Sequence, residues 1–232
     1  MSANLVRAPL ECCGITLTDA VEDYLRTIFK LYGRNEPATT SALARHLGVA
    51  PPTVSVMLKR LAANDLINRP DNRLVELTAH GERHALDVTR RHRLVEAFLV
   101  QALGVPWDQV DAEAEVLEHA ISNRLEERID AALGHPTHDP HGDPIPQPTG
   151  EHVETWAAPL AKAEAGSCFR VERVCDRDSA ALRFLSDRDI RPGVVLEVIE
   201  REPFGGPLWV EVEGRRHPLG PVLADAGHGR TS

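Results

Sequence analysis

Cysteine and long apolar segments are both scarce in this sequence. Its 232 residues include four cysteines, and none of them stands in a Cys-x-x-Cys pair. So few cysteines exclude the disulfide scaffold of a small secreted domain. No apolar run is long enough to cross a bilayer, and residues 1–14 lack the basic and then apolar pattern of a secretion signal. We therefore expect a reduced, cytoplasmic protein that has no membrane partner.

The sequence also lacks the common signatures of hydrolases. Zinc peptidases carry His-Glu-x-x-His or its inverted form, with a glutamate that acts as the base. Neither pattern occurs here, and no Gly-x-Ser-x-Gly or phosphate-binding loop is present. A metallohydrolase is therefore disfavoured, and we predict that the protein is not an enzyme.

The charges of the chain, whose formal net charge is −9, are unevenly distributed. Lysine and arginine outnumber the acids by eight to five between Ser41 and Arg91. Between Asp111 and Glu154, eleven acids face two arginines, and five of the eleven histidines lie in the same stretch. The first region suits a polyanion such as nucleic acid, and the second suits cations.

Three helical patterns open the chain, over Leu17–Leu31, Thr40–Leu47 and Pro51–Asn64. Gly48 allows a tight turn before the third helix. Two short strand patterns follow within Leu66–Leu77. This order predicts a winged helix-turn-helix, whose third helix would enter the DNA major groove. The expected core positions of the first and third helices are Val21, Leu25, Ile28, Phe29, Tyr32, Val54, Leu58 and Leu61.

The rest of the chain divides into a helical part and a β-rich part. One helical pattern runs from Thr78 to Leu103, and another runs from a cap at Asp108 to Leu133. Residues 135–149 are rich in Pro, Gly and His, which predicts a loop. After Gly166, short β-rich runs predict a small barrel. These runs are Cys168–Val174, Val194–Ile199, Leu208–Val212 and His217–Leu223.

The acidic stretch Glu113–Arg128 concentrates potential metal ligands. If it is helical, Glu115, Glu118 and His119 share a face, because residues three and four apart are neighbours. Two adjacent carboxylates repel and desolvate poorly unless a cation lies between them. The face is therefore either a solvated acidic surface or part of a cation site, and the triplet alone leaves both open.

Seven segments together carry a family resemblance. They are Val21–Ile28, Pro52–Ser55, Leu77–Gly81, His92–Glu96, Glu115–His119, Asp139–Pro146 and Leu185–Gly193. In this order the chain resembles the metal-dependent transcription factors that include the diphtheria toxin repressor and the manganese transport regulator. The resemblance implies a mainly α fold with a small β domain. The implied domains are a winged helix-turn-helix (1–88), a helical metal-binding dimerisation domain (89–150), a linker (151–165) and an SH3-like β-barrel (166–226).

The resemblance further implies two metal sites. The primary ligands would be Asp23, His92, Glu115, Glu118 and His119, and the ancillary ligands would be Glu96, Asp139, His141 and Asp178. Iron-type members place Met at the position of Asp23 and Cys at that of Glu115. The hard carboxylates here favour Mn(II), with Fe(II) second. Arg26 stands where some manganese-type members carry a Glu that helps to hold a second ion, so a paired binuclear site is not implied.

The resemblance also implies a homodimer that represses metal-uptake genes from a palindromic operator, with one or two dimers per operator. Pro52, Thr53 and Ser55 would contact bases and phosphates at the start of the third helix. Phosphate contacts would come from Lys59, Arg60 and Arg73. Iron-type members have Gln at the position of Val56, which implies a different operator sequence.

Simpler interpretations of the same residues stay open at this point. Asp23 alone could be an exposed acid, and His92 alone could be a neutral histidine in a dimer interface. His135, His138 and His141 could form a flexible polar loop. The alternative function is a winged-helix regulator that responds to no metal, which would leave the acidic, histidine-rich half of the chain without a role.

Overall fold

The computed structural model describes residues 17–71, 73–153 and 156–231. These residues form two compact units. The first comprises 17–95, 115–135 and 145–153 without residue 72, and the second comprises 96–114, 136–144 and 156–231. None of the helices in the described ranges is both long enough and apolar enough to span a membrane.

Three helices begin the first unit: α1 (Asp19–Gly33), α2 (Thr40–His46) and α3 (Pro51–Ala63). Their limits agree with the predicted helices to within two residues. The Thr39 side chain caps α2, because it accepts a hydrogen bond from the Ala42 N–H at 3.1 Å. Two prolines open α3, where the missing N–H groups would have had no partner within the helix.

The hydrophobic core of this unit forms between the three helices. All three predicted positions of α3 and four of the five in α1 are buried. Tyr32 is the exception, because 47% of it is exposed. It lies in the last turn of α1, where the chain leaves the core and the phenol can stay in water.

A two-stranded wing follows α3. The strands β1 (Ile67–Asn68) and β2 (Glu76–Leu77) pair in antiparallel fashion. In the connection between them, Asp71 Oδ1 accepts hydrogen bonds from the N–H groups of Arg73 and Leu74, both at 2.7 Å. The predicted winged helix-turn-helix is therefore present.

The predicted single helix from Asp108 to Leu133 is wrong, because the segment forms two helices. After α4 (Ala79–Leu103), the chain continues into α5 (Val110–Leu117) and α6 (Asn123–Ala132). The Ser122 side chain caps α6 by accepting a hydrogen bond from the Leu125 N–H at 3.3 Å. The apolar period continues through residues 118–122 although the helix does not, so periodicity alone missed this cap. Glu118 and His119 therefore lie in a turn and not on a helix face.

The second unit contains an antiparallel six-stranded sheet with strand order β3-β8-β4-β5-β6-β7. Alternate residues of its strands face one core, where Val171, Val198 and Val210 are fully buried. The strands are β3 (Ala158–Pro159), β4 (Cys168–Val174), β5 (Val195–Arg201), β6 (Leu208–Val212), β7 (Arg215–Leu219) and β8 (Gly227–Thr231). Two short helices accompany them, α7 (Ser179–Ser186) and α8 (Pro221–Ala226).

The sheet differs from the predicted strands at its C-terminal end. The expected strand His217–Leu223 is divided, because β7 ends at Leu219 and Pro221 begins α8. Proline lacks the N–H that a strand ladder uses and suits the first turn of a helix, which accounts for the change. The sequence patterns did not predict β3, β8 or α7.

Candidate metal centre

The first unit brings an acid of α1 to the turn that follows α5. Donor atoms of Asp23, Glu118 and His119 lie within 4.8 Å of one another. His119 Nε2 is 2.9 Å from Asp23 Oδ1 and 3.5 Å from Glu118 Oε1. Two carboxylate oxygens and one imidazole nitrogen at this spacing match the ligand chemistry of a divalent transition metal.

The orientation of the His119 ring is set by a residue that the sequence did not single out. Glu22 is buried, and its Oε2 lies 2.9 Å from His119 Nδ1, on the side of the ring away from Asp23. A carboxylate on the second ring nitrogen is the usual partner of a metal-binding histidine. The hydrogen bond to Asp23 raises the pKa of His119, and the charge of Glu118 adds to this effect against the opposing effect of burial. A metal ion at this position would therefore have to compete with a proton for Nε2.

Glu118 is the central carboxylate of the cluster and is fully buried. Its Oε2 accepts a hydrogen bond from His92 Nδ1 at 2.5 Å. Among the residues that the structure describes, its Oε1 accepts no hydrogen bond. A buried carboxylate oxygen without such a bond is costly unless a cation is close, so this atom suits a positively charged neighbour, either the Arg26 guanidinium at 3.4 Å or a metal ion.

Arg26 of α1 lies beside these ligands. Its Nη1 is 3.1 Å from His92 Nδ1, its Nη2 is 3.3 Å from Glu115 Oε1, and its Nε is 3.4 Å from Glu118 Oε1. The structure thus brings together all five predicted primary ligands, in two groups. Asp23, Glu118 and His119 face one another, whereas His92 and Glu115 also contact Arg26.

A second group of donors lies in the second unit, where Glu96 of α4 meets the loop after α6. Donor atoms of Glu96, Asp139 and His141 lie within 4.8 Å of one another, and all three residues are buried. His141 Nε2 donates a hydrogen bond to the Trp107 carbonyl at 2.7 Å. Its Nδ1 lies 3.7 Å from Glu96 Oε1 and has no hydrogen-bond partner within the described part of the chain. Nδ1 is therefore the ring nitrogen that faces the two carboxylates.

Internal contacts hold this loop in place. Asp139 Oδ1 accepts hydrogen bonds from the N–H groups of His141 and Asp143, at 2.8 and 2.9 Å. Gly142 has a φ of 86°, and an added Cβ would lie 2.1 Å from the Glu172 carbonyl oxygen. His141 consequently belongs to a fixed, buried loop, while His135 and His138 are exposed.

The charge environment of His141 involves an acid other than the predicted Asp178. Burial lowers the pKa of His141, but the charges of Glu96, Asp139 and Asp176 outweigh it, so that the pKa is raised. Asp178 instead caps α7, because its Oδ1 accepts hydrogen bonds from the N–H groups of Ala180 and Ala181 at 2.8 and 3.3 Å. Asp178 is not among the grouped donors in the described residues.

The predicted DNA-contacting residues lie on exposed surface of α3 and the wing. Pro52, Thr53, Lys59, Arg60 and Arg73 are exposed, and Ser55 is half-buried. The Ser55 hydroxyl donates a hydrogen bond to the Pro51 carbonyl at 3.1 Å. Val56, between these polar residues on α3, is 70% exposed. An apolar side chain on such a surface suits contact with a thymine methyl group.

Comparisons with known proteins cover most of the chain. Residues 16–73 match the iron dependent repressor N-terminal DNA binding domain, residues 78–147 match the metal binding and dimerisation domain of the same repressors, and residues 158–226 match the FeoA domain. A solved structure described as a manganese-dependent transcriptional repressor in complex with manganese is 38% identical. It covers 91% of this chain and 100% of its own, with a TM-score of 0.85.

Two further relatives give the same picture. The manganese regulator SloR is 31% identical over 93% of this chain and 100% of its own, with a TM-score of 0.76. The iron-dependent repressor IdeR of Mycobacterium leprae is 40% identical over 130 residues, which are 56% of each chain. The match thus spans little more than half the length of this curated relative.

Proposed function

Because the chain belongs to the iron-dependent repressor family, whose members are metal-dependent transcriptional repressors, we propose that it is a homodimeric repressor with Mn(II) as its activating ion. The predicted family and fold class are confirmed. The prediction that the chain is a DNA-binding regulator and not an enzyme is confirmed by the same family match. The ion, the operator and the site residues are our proposals.

The observation that carries the proposal is the meeting of Asp23, Glu118 and His119. Asp23 belongs to α1 of the winged helix-turn-helix, whereas Glu118 and His119 belong to the turn between α5 and α6. When bound, a divalent ion would supply the positive charge that joins these ligands. We place His92 and Glu115 beside them as further ligands. Glu22 would hold the His119 ring in place, and Asp23 would tie α1 to the helical part of the unit.

Fixing α1 in this way would also fix α3, the helix proposed to enter the DNA major groove, because α1 and α3 share one core. We call α3 the recognition helix. In a two-fold dimer, both recognition helices would then stand at a defined spacing, as a palindromic operator requires. Exposed apolar residues of α5 and α6, namely Val116, Leu117 and Leu125, offer a surface for the second subunit. One or two dimers would bind each operator, and the targets would be genes for metal uptake.

Mn(II) is preferred to Fe(II) on ligand chemistry. The set offers hard carboxylate oxygens at Asp23, Glu115 and Glu118, with no thiolate or thioether. Two similar solved structures are of a manganese-dependent repressor and of the manganese regulator SloR, which supports the choice of Mn(II). Fe(II) is the second candidate, because curated relatives are described as iron-dependent.

We also propose an ancillary metal site at Glu96, Asp139 and His141. The buried Nδ1 of His141 and the raised pKa of its ring fit a site built for positive charge. Asp178 is not carried into this site, because its carboxylate caps α7.

Binding of a labelled operator fragment, followed by fluorescence anisotropy at fixed salt, tests the proposed function. Mn(II), anaerobic Fe(II) and Zn(II) are titrated against a chelated control. We expect Mn(II) to give the largest gain in affinity and Asp23→Asn to abolish it. Glu113→Gln is the matched control, because Glu113 is an exposed acid of α5. Equal binding with chelator would favour a metal-independent regulator.

A further inference from the structure

The positively charged side chain of Arg26 lies among the proposed primary metal ligands. Its side chain is only 11% exposed. Each of its three guanidinium nitrogens faces a different ligand, with Nη1 at His92, Nη2 at Glu115 and Nε at Glu118, at 3.1 to 3.4 Å. The guanidinium of arginine keeps its charge at any pH that a protein experiences.

This arrangement gives the metal-free cluster a positive charge of its own. Four carboxylates lie together here, at Glu22, Asp23, Glu115 and Glu118, and Glu118 is fully buried. Without a cation, their mutual repulsion and the desolvation of Glu118 would oppose folding of the site. Arg26 offsets both effects, and it does so through oxygens that a divalent ion also requires.

Glu118 Oε1 is the atom that the Arg26 guanidinium and the proposed metal ion would share. It lies 3.4 Å from Arg26 Nε and 3.5 Å from His119 Nε2, the nitrogen that faces Asp23. An ion bound between Asp23, Glu118 and His119 would therefore be a close neighbour of the guanidinium. Two positive charges at this separation repel each other, and they share the negative charge of one carboxylate.

We propose that Arg26 is an internal competitor of the activating metal, which holds Glu115, Glu118 and His92 in the metal-free protein and thereby sets the metal concentration at which the site fills. The inference rests on the proposed function, in that Asp23, Glu118 and His119 bind the ion. Arg26 acts as a positioning and threshold residue and does not itself bind metal.

Substitution of Arg26 separates its charge from its bulk. Arg26→Met keeps most of the stem and removes the charge, whereas Arg26→Lys keeps the charge. Arg124→Met is the matched control, because Arg124 is an exposed arginine of α6. Mn(II) affinity is measured by isothermal titration calorimetry and by the electron paramagnetic resonance signal of free Mn(II). The stability of the chelated proteins is measured by thermal unfolding.

We expect Arg26→Met to bind Mn(II) about tenfold more tightly or better, because a repelling charge is removed. We expect its chelated form to unfold about 3 °C or more below the wild type, because the carboxylates lose their cation. Arg26→Lys should stay close to the wild type in both measurements, and Arg124→Met should change neither.

Unchanged or weaker Mn(II) binding by Arg26→Met would overturn the competitor role while leaving the metal site in place. If Arg26→Met fails to fold, Arg26→Lys decides the matter, since weaker Mn(II) binding by that variant would show that the guanidinium serves the ion. Absence of Mn(II) and Fe(II) binding by the wild type would overturn the proposed function and this inference together.

Discussion

Neutralising Glu118 is the sharpest perturbation of the proposed site, because this carboxylate is fully buried and contacts three other groups. Its separation of 3.4 Å from Arg26 Nε corresponds to an attraction of about 5 kcal/mol at an effective dielectric constant of about 20. Glu118→Gln loses this attraction but also avoids burying a charge. We therefore expect the metal-free variant to lose about 2 kcal/mol of unfolding free energy, or about 6 °C in Tm.

Glu118→Gln should also remove most of the stabilisation that Mn(II) binding provides. If free Mn(II) is kept at a hundred times the wild-type Kd, binding stabilises the wild type by about 2.7 kcal/mol. Loss of a charged ligand that weakens binding about a hundredfold would reduce this gain to about 0.4 kcal/mol. Thermal unfolding with and without Mn(II) measures both quantities, and Glu113→Gln should behave as the wild type. A Glu118→Gln variant with the full Mn(II)-induced rise in Tm would refute the proposed role of Glu118.

Three further substitutions test other parts of the structure. In Gly142→Ala, the added Cβ would meet the Glu172 carbonyl oxygen. Chemical denaturation should therefore show a loss of about 2 kcal/mol or more in unfolding free energy, and the ancillary site should no longer bind metal. Gly166→Ala is its control, since Gly166 has a φ of 81° and nothing within 4 Å of an added Cβ. Ser122→Ala should cost about 1 kcal/mol through loss of the α6 cap and weaken Mn(II) binding in calorimetry, whereas unchanged binding would mean that the turn forms without the cap. Lys59→Ala should weaken operator binding to a similar extent for all sequences and reduce the salt slope by about one, and an altered base preference would contradict a phosphate contact.

The sequence predicted the winged helix-turn-helix well because its signals are local. Caps, prolines and apolar spacing within α1, α2 and α3 each act over a few residues. The sheet of the second unit was less predictable. β8 contains two glycines and no alternating apolar pattern, so its place beside β4 depends on pairing between distant segments. The domain limits at 88, 150 and 165 stay predictions.

The residues of the candidate site could be named from the sequence, but their surroundings could not, and their role as metal ligands stays a prediction. The five primary residues came from the family resemblance, and the fold places all of them in one cluster. Glu22 was missed because it precedes Asp23 directly, and neighbouring helix residues do not share a face. Asp176 was missed because its effect on His141 depends on how the loop at 139–144 packs against β4. The contact of Glu22 with His119 and the effect of Asp176 on His141 both arise from tertiary packing, which residue spacing along the sequence does not reveal.

The break between α5 and α6 explains why Glu115 and Glu118 have different environments. On a continuous helix, these residues would lie one turn apart on the same face and be exposed to a similar degree. In the structure, Glu115 still belongs to α5 and its side chain is 48% exposed, whereas Glu118 has turned inward and is fully buried. The turn therefore creates one carboxylate that water cannot stabilise, and His92 and Arg26 contact it instead. The proposed metal ion would add to this stabilisation. On the proposed function, a change in metal occupancy at that carboxylate would act on α1 through Asp23 and Arg26, and so on the winged helix-turn-helix that α1 shares a core with.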